Sequence, residues 1–297
     1  MTVAPHGGLA PCPPADPKPR APQFSVPPLS CDCHIHVFEE ERYPYAARRG
    51  YTPPDAPLSS LLQLHRTLGI ERAVLTQASV HGSDNRAILE GSSSDPQRFR
   101  AVVAIDSSIE DSELRRMHEG GARGIRVNLV DKGGMPFTSF DELREVARRI
   151  DPLGWHVEFL VHVDQTPEFL ELARSLPTDI VVGHLGYVRT ERGLDSPGYQ
   201  QFLDLVAEGR CWVKLTGPYR ITGTNLPPYS DVAPFARALI GRRPDRMLWG
   251  SDWPHVMCKV PMPNDGDLLD ILGDWVPDER TREAILVHNP ARLYGFD

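Results

Sequence analysis

The sequence predicts an α/β fold, a (β/α)8 TIM barrel, on three observations. Eight short apolar runs alternate with amphipathic stretches along the chain. Most of those runs are rich in Val, Ile and Leu without strict polar alternation, the pattern of strands buried on both faces of a parallel sheet. Their spacing also fills the roughly 250 residues that eight strand–helix units take. A doubly wound open sheet is the competing architecture, and it would place a glycine-rich phosphate turn after the first strand, where none stands.

Taken in order, residues 1–28 hold nine of the 29 prolines and few large apolar side chains, so they cannot donate to a ladder or build a core. They are expected to form a proline-rich N-terminal extension or a strap across the surface, and residues 29–297 a single barrel domain. The predicted strands are Leu29–Val37, Arg72–Gln77, Phe99–Ile105, Ala122–Leu129, His156–Val163, Asp179–Gly183, Arg210–Thr216 and Arg246–Gly250. Helical segments between them include Pro57–Leu68, Ser112–Glu119, Phe140–Ile150, Pro167–Leu176, Tyr199–Ala207 and Val232–Leu239. The tryptophans in or beside strands, Trp155, Trp212 and Trp249, are expected in the core.

Composition excludes several classes of function. With 32 basic against 40 acidic residues the net charge is −8, so no global field holds a polyanion such as nucleic acid. No run reaches the roughly 18 apolar residues of a membrane span, and the N-terminus lacks a signal-peptide layout, so the expectation is a cytoplasmic protein. Five cysteines, odd in number and without a CxxC pair, fit free thiols better than a disulfide scaffold.

Barrel chemistry gathers at the C-terminal ends of the strands, and the residues there converge on one kind of site. Strand 1 ends in Asp32-Cys33-His34-Ile35-His36, strand 6 in His184, and strand 8 in Ser251-Asp252-Trp253-Pro254-His255. His34 and His36 are two apart, so strand alternation points both imidazoles to one side and Cys31 and Cys33 to the other. Together with His184 and Asp252 they can hold a divalent metal such as zinc, with a position left for water. They can equally work without metal, a histidine polarising a carbonyl and Asp252 acting as base. Alternatively, Asp252 is a turn cap. Arg126, Lys132 and Arg220 follow strands 4 and 7, and in an acidic protein they suggest a ligand that brings carboxylates, which guanidinium binds bidentately. Tyr51 and Ser79 offer hydroxyls to the same cradle, and His255 is expected to join the substrate contacts.

These residues resemble the amidohydrolase superfamily, and more narrowly its lactonase-like branch. The resemblance rests on Cys33-His34-Ile35-His36-Val37-Phe38, Arg42-Tyr43-Pro44-Tyr45, Gln77-Ala78-Ser79-Val80-His81-Gly82-Ser83-Asp84-Asn85, Glu119-Gly120-Gly121-Ala122-Arg123-Gly124-Ile125-Arg126, Gly183-His184-Leu185-Gly186, Trp249-Gly250-Ser251-Asp252-Trp253-Pro254-His255 and Asn289-Pro290-Ala291-Arg292-Leu293-Tyr294. It implies a barrel hydrolase that opens a carboxylated lactone, 2-pyrone-4,6-dicarboxylate or a related compound of aromatic degradation, without needing a bound metal. His34, His36 and His184 would polarise the carbonyl and Asp252 would activate water. Tyr51, Ser79, Arg126 and Arg220 match positions that hold substrate carboxylates. Lys132 stands where the branch has a second arginine, and Leu160 where it has a tyrosine. Two other readings stay open: a metal-dependent decarboxylase of an aromatic or unsaturated acid, and a silent barrel that binds a dicarboxylate.

Overall fold

The computed structural model describes residues 11–131 and 136–296. Eight strands form one sheet in the order β1 to β8, each paired in parallel with the next: β1 Cys31–Ile35, β2 Arg72–Thr76, β3 Phe99–Val103, β4 Ala122–Asn128, β5 His156–Leu160, β6 Ile180–Val182, β7 Cys211–Thr216 and β8 Met247–Gly250. Every predicted strand is present, trimmed at its ends. Around them lie α1 Leu58–Leu68, α2 Arg86–Ser94, α3 Asp111–Glu119, α4 Phe140–Ile150, α5 Phe169–Ser175, α6 Pro197–Ala207, α7 Ala233–Arg242 and α8 Asp265–Trp275. A C-terminal run of α9 Glu279–Glu283 and α10 Asn289–Tyr294 follows.

The seam between β8 and β1 closes at the upper rim. Asp252 N–H donates to the His34 carbonyl and His36 N–H to the Trp253 carbonyl, both at 2.9 Å. Just below, the buried Asp32 carboxylate accepts from Ser251 N–H at 2.9 Å and His34 N–H at 3.2 Å, standing in for ladder bonds. Gly250 permits this approach, because a Cβ there would lie 2.8 Å from His34 Cβ. Closure therefore brings the His-X-His segment and Asp252 together.

The core has two layers. Ile35, Leu75, Val127, Phe159, Val182, Leu215 and Trp249 pack outward under the helices. Inside the barrel a plug of Cys31, Cys33, Val74, Val102, Val181, Trp212 and Leu248 is sealed by Tyr294 and Phe296 from the C-terminus. This corrects the expectation that Cys31 and Cys33 face away from His34 and His36. The β1–β2 register slips between Asp32 and Ile35, so an extra residue in β1 lets Cys33 and His34 both serve the interior. The three strand tryptophans are buried as expected.

Residues 11–28 make several contacts with the C-terminal helices. Arg20 and Gln23 N–H groups donate to Asn264 Oδ1 at 2.9 Å and Asp270 Oδ1 at 2.6 Å, Arg20 pairs with Asp267, and the Arg282 guanidinium covers the Phe24 ring. Residues 1–10 lie outside the described range. No helix among the described residues is long and apolar enough to cross a membrane.

Candidate active site

A cavity of about 330 Å³ opens at the C-terminal ends of the strands. His36, His184 and Asp252 line it together with Tyr51, Ser79, Arg126 and Arg220. Of the residues expected in the site, His34 sits beneath this wall, fully buried. Lys132 lies outside the described residues. His255 does not line the cavity: it is buried behind Tyr219, with Nδ1 at 3.0 Å from the Tyr219 hydroxyl and Nε2 at 3.0 Å from Asp265 Oδ1.

Asp252 is held by one oxygen and free at the other. Oδ2 accepts from the Tyr219 hydroxyl at 2.5 Å and from Arg220 Nε at 2.6 Å. Oδ1 is buried without a partner, 3.7 Å from the similarly unpartnered His34 Nε2. Burial opposes the carboxylate charge, but the Arg220 guanidinium bonded to Oδ2 holds its pKa well below the usual range. Arg220 thus anchors the acid, a task sequence reasoning did not assign to it, while its second amino group, Nη2, donates to the Val256 carbonyl at 3.0 Å. Asp252 and His184 both have positive φ, 68° and 51°, an uncommon backbone region for non-glycine residues that clusters at working sites.

All three imidazoles are neutral. Burial, then the Arg126 charge, pushes His36 down to about 3, and burial does the same for His184. Burial followed by the nearby Lys214 ammonium takes His34 well below its ordinary value. His36 Nδ1 lies 2.7 Å from the Thr76 carbonyl, which can only accept, so the proton sits on Nδ1 and Nε2 meets the cavity as a lone pair. His184 Nδ1 is buried without a partner, which leaves Nε2 as its cavity edge. His34, His36 and Asp252 offer one ligand atom each, all within 4.8 Å of one another, and the orphaned Asp252 Oδ1 is among the atoms facing this space. In residue type and spacing that set fits a divalent ion.

The opposite wall is cationic. Arg126 donates to the Gln77 carbonyl at 2.6 Å, its Nε is unpartnered, and it makes no ion pair among the described residues. The hydroxyl-bearing Tyr51 and Ser79 line the cavity with it, and burial pushes Tyr51 up to about 12. Ser79 is presented by a loop that its own neighbours fold. The Gln77 amide donates to the Gly82 and Asp84 carbonyls, and the Asn85 amide to Ser83 and Ala104. Gly82 at φ 57° makes the turn. Leu160 leaves one side of the cavity apolar.

Sequence reasoning missed Tyr219 and Glu158. Tyr219 adjoins the candidate Arg220, a signal that could have raised it. Glu158 lies inside an apolar strand run with nothing to mark it.

The sequence profile of the family described as Amidohydrolase matches residues 31–296. The chain is 40% identical over 286 residues to a 2-pyrone-4,6-dicarboxylate hydrolase of Comamonas testosteroni, covering 93% of each. It is 37% identical over 276 residues to a 4-sulfomuconolactone hydrolase of Hydrogenophaga intermedia, covering 92% of this chain and 91% of that one. A crystal structure from Pseudomonas putida, solved under the provisional name 2-pyrone-4,6-dicarboxylic acid hydrolase, superposes with a TM-score of 0.79 at 31% identity, over 92% of this chain and 99% of that one.

Proposed function

The chain belongs to the amidohydrolase family, and on that premise we propose that it hydrolyses a small carboxylated lactone of aromatic degradation, 2-pyrone-4,6-dicarboxylate or a compound close to it. The lactone-opening relatives support ester hydrolysis over decarboxylation. One observation carries the reading for this chain's own residues: Arg126, a cation with no ion pair among the described residues, shares one cavity with a carboxylate that has a free oxygen, Asp252.

In this reading Arg126, Tyr51 and Ser79 grip a substrate carboxylate, with Lys132 and the free N–H groups of Arg220 supplementing them, and orient the ring. Asp252 Oδ1 takes a proton from the attacking water. His184, neutral and free at Nε2, donates to the oxygen that gains charge in the tetrahedral intermediate. The protonated Asp252 then returns its proton to the departing ring oxygen. His36 turns a lone pair to the cavity, so it orients the water by accepting from it, in place of the carbonyl-polarising role expected from the sequence. Because Arg220 keeps Asp252 a weak base, positioning must contribute much of the rate. A divalent ion bound by His34, His36 and Asp252 would supply acidity to the water and polarisation to the carbonyl. The buried, unpaired thiols Cys31, Cys33 and Cys211 support a reducing, cytoplasmic setting.

Asp252→Asn tests the reading. Loss of at least about a hundredfold in kcat on the pyrone dicarboxylate, with binding retained, is the expected result. Near-normal turnover by this variant overturns it.

A further inference from the structure

Beneath the cavity floor lies a charged cluster that the reaction outlined above does not use. Lys214, on β7, and Glu158, on β5, are fully buried and joined at 2.5 Å from Nζ to Oε2. Both reach His34 Nδ1. Lys214 Nζ is 3.1 Å from it in hydrogen-bonding geometry, whereas Glu158 Oε1, at 3.2 Å, makes an ion contact without the alignment of a hydrogen bond from the ring. An isolated ion pair in a barrel interior is expensive and contributes little net stability, so its placement against a site imidazole needs another explanation.

We infer that Lys214, steadied by Glu158, is a positioning residue that holds His34 in the tautomer with its proton on Nε2. An ammonium has three donors and no acceptor, so Nδ1 beside it must be the bare nitrogen. The single proton of the neutral ring then sits on Nε2 and points toward Asp252 Oδ1, 3.7 Å away. His36 has the reverse arrangement, fixed by the Thr76 carbonyl. The two members of the His-X-His pair therefore carry opposite tautomers: His34, beneath the wall, turns a donor toward the Asp252 carboxylate, and His36 turns an acceptor to the cavity. The donor steadies the acid, and the acceptor suits water. This inference rests on the hydrolytic reading for its purpose, though not for its geometry. It also has a consequence for metal: a divalent ion requires lone pairs from both rings, and Lys214 opposes that state at His34.

The test uses the full-length protein labelled with 15N-histidine, with His34 assigned by difference from His34→Gln. The wild-type spectrum is expected to show His34 protonated at Nε2 and His36 at Nδ1. In Lys214→Met, Glu158 is left as the only partner of Nδ1, so the His34 proton should move to Nδ1. Zinc affinity, read by equilibrium dialysis, should rise by about tenfold or more, while kcat falls and KM changes little. Glu158→Gln should retain the wild-type tautomer. Should Lys214→Met fail to fold, the charge-balanced pair Lys214→Met with Glu158→Leu should still gain zinc affinity. His34 protonated at Nδ1 in the wild type overturns the proposal outright, as does unchanged zinc affinity in every folded variant lacking Lys214. Neither outcome bears on whether Asp252 is the base, which the Asp252→Asn assay decides separately.

Discussion

At the scale of single residues, the site is a set of half-satisfied groups. Asp252 has one oxygen fully engaged and one free, His36 one nitrogen bonded and one bare, and Arg126 is a cation with no ion pair among the described residues. Leaving such atoms unpaired in a buried place costs about 1–3 kcal/mol each, a cost that a ligand completing them would offset. Two outcomes follow. Arg126→Met should raise KM by about 10- to 100-fold while lowering kcat less, since a hydrogen bond to a charged group is worth about 1.5–3 kcal/mol. Steady-state kinetics on a dicarboxylate and on its monocarboxylate analogue would check this, and an equal loss on both would contradict a carboxylate contact. Tyr219→Phe removes a donor from Asp252 Oδ2 and should reduce kcat by about 10-fold or more with KM nearly constant. If kcat were unaffected, the bond would be a packing detail. His34, His36, His184, Asp252 and Arg126 were all legible in the sequence because chemistry-bearing side chains at strand ends stand out against apolar runs. Tyr219 and Glu158 were not, because each acts only through a partner distant in the chain.

At the scale of elements, alternation was a reliable guide except where a strand departs from it. The slip in β1 gives Cys33 and His34 the same side, and no local signal in Cys-Asp-Cys-His-Ile marks it. Helices α2 and α8 went unassigned for related reasons. The first holds three serines and a glycine in nine residues, and the second opens with the acidic Asp265-Gly266-Asp267 stretch. Asn264 caps α8 by accepting from Gly266 N–H while also holding Arg20 N–H, so strap and helix share one cap. A Cβ on Gly266 would collide with the Arg20 carbonyl. Gly266→Ala should therefore lift the strap, and limited proteolysis should cut within residues 11–28 faster than in the wild type. An unchanged digestion pattern would show that the helix tolerates the strap without that close approach.

At the scale of the whole molecule, the buried imidazoles set how stability depends on pH. Burial holds His156 near 4, and His36 and His184 near 3, against about 6.5 when unfolded. The unfolded chain thus binds protons that the native state refuses. The stability these groups contribute is complete above pH 6.5 and is lost as pH falls toward 4, by about 2 kcal/mol per imidazole between pH 7 and 5. Urea midpoints at those two pH values would measure the loss. His156→Leu, which removes an imidazole packed on Tyr294 outside the cavity, should flatten the curve by one such share. An unaltered slope would place the proton uptake elsewhere. The sequence by itself determined the barrel, its eight strands, the chemistry-bearing side chains at the strand ends and the family, because strand burial on both faces and motif spacing are local properties of a chain. Only the tertiary structure decided which oxygen of Asp252 is free, which nitrogen of each histidine meets the cavity, and that His255 stands behind the site instead of in it. Those depend on hydrogen-bond partners from β2, from β7 and the loop after it, and from α8, which folding of the barrel brings within about 3 Å.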